Sequence, residues 1–514
     1  ELEQRKELKY DVIVVGSGGG GGVAAHELAA AGKSVLVIEK GNYYHETDFD
    51  LCEAKAFENM YEKGTVFPST DGSLGVLAGT VWGGSTTVNW SASLKPQHFV
   101  REEWAKQGLT HFITPKFTEQ LEKVGKMIGA ETSGIQHSVP NQILLDGCKK
   151  LGYHYDNIPQ NTSGRRHQCH YCFAGCRDGV KNGTMNSWLR EAEKYGAQFL
   201  DRTNVLRVLT DKKKKNKAIG VECVVHGGKK LNIYAEKVVI SAGSLYSPRI
   251  LLKSGLKNPN IGQHLHVHPV AGVIGRFDDR VVDPWSSSIM TAISCAVENV
   301  DGDHYGCKIE VPVLHPGLFS ALVPWRGAKQ HKETMLHYRQ FVPLIALTRD
   351  KDSVGSVSYD DEGIVNVDFK LSKHDARSMM EGMIACSRIL VAEGARELHT
   401  TNPRIPVFKF KPDEPSDVTN PRFIAWLNDA QRIGVPDMVS TAHLMGTNRM
   451  GVSPKTSVVK PTGETWEVKD LYVADASIFP TSTGVNPMFT TMTLAVHVAN
   501  SIIEKDTNKN ASKL

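Results

Sequence analysis

The sequence predicts an α/β protein: a Rossmann-like domain completed by a β-meander, and a second domain built on a mostly antiparallel sheet with helices. Three observations predict it. Residues 11–39 read as strand, glycine-rich turn, alanine-rich helix and strand; residues 204–242 bring back alternating apolar stretches at short spacing; residues 276–437 hold spaced strands divided by Gly, Asp and Pro turns. Length agrees with more than one core, because 514 residues far exceed the soft prior of roughly 150 per domain. Hydrophobic residues make up 40%, charged residues 23%, and Lys plus Arg (60) nearly balance Asp plus Glu (56). That balance excludes a disordered chain, a collagen and a polyanion-wrapping tail. Nine cysteines, odd in number and irregularly spread, do not make a secreted disulfide framework and point to a reducing interior.

Residues 11–15 (DVIVV) form an apolar run of the kind buried in a parallel sheet, and Gly16, Gly18 and Gly21 follow in G-x-G-x-x-G spacing. Gly16 permits the tight turn, Gly18 lets a pyrophosphate approach the backbone, and Gly21 lets a helix beginning there lie close to the sheet. That helix points its N-terminal amides at the phosphates. The next strand (SVLVIE) ends in Glu39, placed to accept from ribose hydroxyls and to repel a 2′-phosphate, which favours FAD or NAD over NADP. Further on, NVLRVLT and AIGVECVVHG flank Lys212 to Lys215, read as a solvated hairpin turn, and KLNIYA and KVVISAG complete the meander. The strands KIEVPVL, FVPLIAL, SVGSVSY and IVNVDFK build the second domain, with an amphipathic helix over residues 375–393 whose Met379 and Met383 read as core. No apolar run reaches the ~18 residues of a membrane span, and residues 1–10 lack the pattern of a signal peptide. The Asn-x-Ser/Thr sequons at Asn89, Asn161, Asn182 and Asn510 are therefore expected to be idle.

Three further segments carry a resemblance. Residues 79–89 (GTVWGGSTTVN) resemble the flavin-contacting loop of the glucose, methanol and choline oxidoreductase family, and residues 243–256 (GSLYSPRILLKSGL) its second signature, with Lys257 where Gly is usual. HLMGTNRMG from His443 and the stretch 471–502 (LYVADASIFPTSTGVNPMF and onward) are similar to its catalytic and flavin-closing segments. Within the family the chain is most similar to long-chain fatty alcohol oxidases, which share a Cys-rich segment followed by Lys-x-Gly-Thr, here residues 169–184 (CHYCFAGCRDGVKNGT). The resemblance implies FAD, bound non-covalently because Val88 stands where some members carry a flavin-linked histidine. It implies an FAD-binding domain assembled from residues 1–97, 198–275 and 438–514, a flavin-lid and connecting segment over 98–197, and a substrate-binding domain over 276–437. The reaction implied is oxidation of a primary, long-chain aliphatic alcohol to an aldehyde, with dioxygen reduced to hydrogen peroxide. A dehydrogenase using another acceptor and an FAD-containing hydroxynitrile lyase are the alternatives on this fold.

Alcohol oxidation moves a hydride to the flavin and the hydroxyl proton to a base. The resemblance gives the base as His443 and its partner as Asn486, whose amide can orient the alcohol without a charge of its own; Asn486 before Pro487 also reads as a turn former. His497 reads as a packed or flavin-side residue. Flavin contacts are implied at Gly83, Gly84, Ser85, Asn89, Asp475, Ala476, Pro487 and Met488, with Val205 a backbone contact to adenine; Asp475 reads equally as a helix cap. Cys169, Cys172 and Cys176, interleaved with His167 and His170, leave open a loop-ordering role, a metal or iron-sulfur cluster, and a redox disulfide. The terminal Ser512-Lys513-Leu514 reads as a peroxisomal address taken up by the import receptor, which agrees with peroxide production. The start at Glu1 reads as truncation or processing, with peripheral membrane contact expected through the N-terminal region that the relatives carry. No nucleic-acid partner is expected, because no basic cluster joins the lysine run.

Overall fold

A computed structural model describes residues 9–511 apart from 212, 214 and 215. Lys212, Lys214, Lys215 and the terminal Ser512-Lys513-Leu514 therefore lie outside the described residues. The first sheet is centred on Lys9–Val15, every residue of which from Val12 onward is buried. Val35–Ile38 and then Gln198–Leu200 add on one side in parallel, and Lys230–Ile240 on the other. Lys230–Ile240 serves two environments, and its sequence shows it. The first half alternates buried and exposed as the edge of an antiparallel meander with Lys217–Val224 and Asn204–Asp211. The second half, ending VVI, is buried on both faces between Lys9–Val15 and the short parallel strand Leu471–Val473. The meander predicted over 204–242 is thus present.

The helix Gly19–Ala30 begins two residues before the expected Gly21 and packs against the long C-terminal helix Met488–Ala511. The second sheet is antiparallel around Val270–Arg276, which pairs in full register with Phe341–Thr348, from Val270 opposite Leu347 to Arg276 opposite Phe341. Cys307–Glu310 and Ala292–Val297 extend one side; Glu397–Thr400 and Val439–Thr441 pair on the other. KIEVPVL, read as one strand, pairs only to Glu310, because Pro312 cannot donate to a ladder. The predicted helix spans Lys373–Ala392, capped by the Ser372 hydroxyl, and buries Met379 and Met383 as core. This sheet does not respect the boundary expected at 275/276. It takes its central strand from before that point, and Leu74–Val76 from the N-terminal part, in parallel with Val439–Thr441.

No helix among the described residues is long and apolar enough to cross a membrane.

Candidate active site

One cavity of about 770 Å³ runs from the glycine turn to the second sheet, within the roughly 300–1,000 Å³ typical of small-molecule and cofactor sites. Gly16, Gly18, Glu39, Gly84, Ser85, Asn89, Val205, Asp475, Ala476, Pro487, Met488, His443 and Asn486 all line it, as does Val88. Of the site residues expected from sequence, Gly21 and Gly83 lie just behind that lining. Gly21 sits under the turn, where a Cβ would stand 1.8 Å from the Gly16 carbonyl oxygen. Gly83 donates its N–H to the Ser17 hydroxyl at 2.9 Å.

Ser17 and Glu39 hold the two loops together. The Glu39 carboxylate accepts from the Ser17 amide (2.9 Å) and hydroxyl (2.7 Å), and from the Gly41 amide at 2.8 Å. Gly84, at φ +55°, lies against Gly18, and a Cβ on it would stand 2.9 Å from the Gly18 Cα, so the first and second loops meet backbone to backbone. Asp475 fulfils the capping reading. Its carboxylate accepts from the Ser477 amide (2.8 Å), the Gly243 amide (2.9 Å) and the Ser247 hydroxyl (2.5 Å), while burial pushes its pKa up.

The far end of the cavity holds the polar groups fit for chemistry. His443 Nδ1 is 2.9 Å from Nδ1 of the fully buried His268, whose Nε2 accepts the Gly484 N–H at 2.9 Å. A backbone N–H can only donate, so His268 carries its proton on Nδ1 and gives it to His443 Nδ1. Neutral His443 therefore carries its own proton on Nε2, which has no protein partner among the described residues. Burial holds its pKa down at about 4. The Asn486 amide nitrogen is 3.4 Å from Glu310 Oε2. Three buried oxygens on cavity-lining residues have no partner: Asn89 Oδ1, Asn486 Oδ1 and Glu310 Oε1. Buried polar atoms of native proteins are nearly always bonded, so these ask for a polar ligand. Glycine backbone and unpaired polar atoms in one cavity fit a dinucleotide, which the glycine turn and the 79–89 loop would hold, leaving His443 and Asn486 free to meet a substrate.

Family models agree with this reading. A GMC oxidoreductase model matches residues 57–270, a second GMC oxidoreductase model matches 351–495, and an FAD binding domain model matches 11–48. The chain belongs to the GMC oxidoreductase family. It is an FAD-dependent enzyme. Among curated relatives, the long-chain-alcohol oxidases FAO4A and FAO4B of Arabidopsis thaliana are each 36% identical, over 97% and 98% of this chain and 69% and 68% of their own lengths. Among solved structures, a formate oxidase variant of Aspergillus oryzae RIB40 superposes with TM-score 0.71 at 15% identity, covering 98% of this chain and 100% of its own. Pyridoxine 4-oxidase from Mesorbium loti gives TM-score 0.68 at 17% identity, over 95% of this chain and 98% of its own. These two share the fold.

In this GMC oxidoreductase the Cys-rich segment folds under the second loop. Lys181, fully buried, donates to the carbonyls of Thr87 (2.9 Å) and Asn89 (2.6 Å), so the Lys-x-Gly-Thr motif fixes the backbone beside Val88. The Thr184 hydroxyl meets Thr86 at 3.0 Å and the Ser17 carbonyl at 2.9 Å. Burial and neighbouring thiols push Cys169 up to about 12, whereas for Cys176 burial, which raises it, is outweighed by the bond from His167 together with the Lys181 amide and ammonium, and its pKa is lowered. Among the described residues no three His, Cys, Asp or Glu side chains converge as a metal site requires, and all nine cysteines are free. His497 packs face to face on His111 at 4.3 Å and hydrogen-bonds the Pro461 carbonyl, away from the cavity. Sequence reasoning did not find Ser17, His268 or Glu310. Glu310 had left a signal: two charges, Lys308 and Glu310, in an otherwise apolar strand.

Proposed function

We propose that this FAD enzyme oxidises primary, long-chain aliphatic alcohols to aldehydes and passes the electrons to dioxygen, giving hydrogen peroxide. The observation that carries this reading is the contrast within one cavity. Its wall carries the polar side chains of His443, Asn486 and Glu310 and, in the same cavity, the apolar ones of Leu77, Leu318, Leu322, Trp325, Ile345 and Leu347. Polar groups and a large apolar lining in one cavity suit a hydroxyl on an aliphatic chain, since each buried CH₂ contributes about 0.8 kcal/mol. The curated names of the Arabidopsis relatives support the same substrate class.

When bound, FAD supplies the two-electron acceptor. The protein's part would be to hold the alcohol oxygen with the Nε2–H of His443 and the Asn486 amide and to exclude water with the apolar residues of the cavity wall. Val88 offers no atom for a covalent flavin bond, so the cofactor is expected to be released into solution when the protein is denatured. Anaerobic addition of dodecanol should bleach the yellow protein, and readmitting air should restore the colour with one hydrogen peroxide per aldehyde. Bleaching without peroxide in air would make it a dehydrogenase; no bleaching with any alcohol would defeat the redox reading and favour a lyase.

Ser512-Lys513-Leu514 supports peroxisomal import through the receptor for that tripeptide. A fluorescent protein fused to the N-terminal side should become punctate in cells, and removing Leu514 should disperse it. Punctate signal that survives the deletion would refute the address.

A further inference from the structure

The helix Ala328–Leu336 has nine residues and buries none of them. So short a helix is marginal in water by itself, since helices in proteins are stabilised mostly by packing one face. Here Met335 alone packs, in part, on the small cluster around Phe319 and Tyr338. Leu336, at the end of the helix, is 82% exposed, and Trp325, shortly before it, 68%. The remaining ties are polar. His331 Nε2 lies 3.0 Å from the Ser320 hydroxyl, with its ring on Trp325 at 5.3 Å, and the Arg326 guanidinium donates to the Ile405 carbonyl at 2.6 Å.

The same segment forms part of the cavity's rim. Ala321, Trp325, Pro403 and Met438 line the cavity and are themselves exposed, Met438 at 54%, so the cavity opens to the outside beside them. Contacts join the three stretches of chain at this mouth: Arg326 reaches Ile405, and Arg404 pairs with Asp437 at 3.0 Å. Trp325 and Met438 on the rim, with Leu336 on the adjoining helix, are large apolar side chains of the kind that mark an interaction surface when they are exposed together.

Charge says what the surface meets. Residues 324–337 carry Arg326, Lys329 and Lys332 against a single acid, Glu333. Among the described residues Lys332 makes no ion pair, Lys329 has only Glu333 at 3.9 Å, and Arg326 bonds a neutral carbonyl. Unpaired cations beside exposed tryptophan, methionine and leucine match an anionic lipid surface: the indole sits among headgroups, the apolar side chains enter just below them, and the lysines lie over phosphates. A protein partner or a second copy seated here would close the mouth through which a substrate must pass. A bilayer would supply the substrate instead.

We propose that the face made by Trp325, Met438 and the helix Ala328–Leu336 docks on an anionic lipid surface, and that the alcohol passes from the bilayer directly into the cavity. This rests on the reading of the protein as an oxidase of long-chain alcohols, and it concerns residues beside the cavity mouth, apart from any N-terminal contact. Each CH₂ favours an apolar phase over water by about fourfold, so a long-chain alcohol resides in the membrane. A mouth that opens into lipid spares it the transfer through water.

The test is sedimentation of the holoenzyme with phosphatidylcholine–phosphatidylserine vesicles and, beside it, with phosphatidylcholine vesicles, with anaerobic flavin bleaching as a second readout. Wild type should sediment with the anionic vesicles and much less with the neutral ones. Leu336→Asp and the double variant Lys329→Gln/Lys332→Gln change neither a cavity-lining nor a buried residue, so both should bleach at the wild-type rate with dodecanol carried by cyclodextrin. On anionic vesicles the double variant should bind about 20–30-fold more weakly, since each cation near such a surface contributes about fivefold, and Leu336→Asp should weaken binding about 10-fold. Bleaching by octadecanol held in those vesicles should slow in step. Wild type that stays in the supernatant, or variants that sediment as it does, overturns the docking face. Dimers of the wild type that Leu336→Asp dissociates, with no sedimentation, would give the face to a second copy and overturn the lipid assignment. Absence of bleaching by either alcohol in either form overturns the substrate reading and the delivery that rests on it, while sedimentation still decides the docking face.

Discussion

His443→Ala should slow anaerobic flavin reduction by a long-chain alcohol by about 10²–10³-fold, the range for removing one preorganised donor from a reacting oxygen, while the purified protein stays yellow. The cavity wall explains why the two effects separate. The FAD end is built from the glycine turn, Glu39, the second loop and the Asp475 cap, none of which uses the His443 side chain. The apolar residues of the cavity wall would hold the alcohol's tail, so binding is expected to persist as the chemical step falls, and kcat should drop together with kcat/KM. Truncation also strands the Nδ1–H of His268, which is fully buried and has His443 as its acceptor. An unsatisfied buried donor costs about 1–3 kcal/mol, so a modest fall in Tm accompanies the loss of rate. His443→Gln, whose amide can partner His268, should recover part of that Tm without recovering the rate. A His443→Ala protein reduced at the normal rate would remove His443 from the reaction.

What the sequence made legible follows the range of each constraint. The fingerprint glycines and Glu39 answer to neighbours within one strand-turn-helix unit, so their spacing is visible locally. The C-terminal half of Lys230–Ile240 announced its burial by losing alternation. His443 and Asn486 were legible only through family resemblance, since neither carries a local pattern that separates it from an ordinary core histidine or a turn asparagine. His268 and Glu310 were missed because their partners lie far along the chain, His443 at a separation of 175 residues and Asn486 at 176. Only the closure of the second sheet onto the C-terminal segment brings those pairs together. The boundary expected at 275/276 failed for a related reason: turn and strand signals mark where elements start, not which sheet recruits them, and Val270–Arg276 pairs with Phe341–Thr348 some seventy residues on.

Gly20 falls between the fingerprint positions, yet Gly20→Ala should do more damage than a change at Gly18. A Cβ on Gly20 would stand 1.7 Å from the Ala474 carbonyl oxygen and 2.7 Å from the Ser241 hydroxyl. Neither can retreat cheaply. The Ala474 amide is held by the Ile240 carbonyl at 2.9 Å, and the Ser241 hydroxyl donates to the Ala474 carbonyl at 2.9 Å, so both belong to the ends of adjacent parallel strands. The helix must instead lift from the sheet, at a cost above the ~1–3 kcal/mol typical of overpacking a core, and its N-terminal amides leave the place where they meet phosphate. Gly18 is the opposite case. Its backbone, at φ −65° and ψ −166°, suits alanine, and beyond its two chain neighbours its Cβ would come no nearer than 3.8 Å to any heavy atom of the protein, at Gly84 Cα. It would project into the cavity, where the pyrophosphate is expected. Gly20→Ala should therefore yield protein with little flavin and a strongly lowered Tm even as apoprotein. Gly18→Ala should keep the apoprotein Tm and lose FAD affinity alone. Flavin-to-protein absorbance ratios and apoprotein melting curves separate the two. Equal apoprotein stabilities would mean that the close approach of helix to strand is not what demands glycine at position 20.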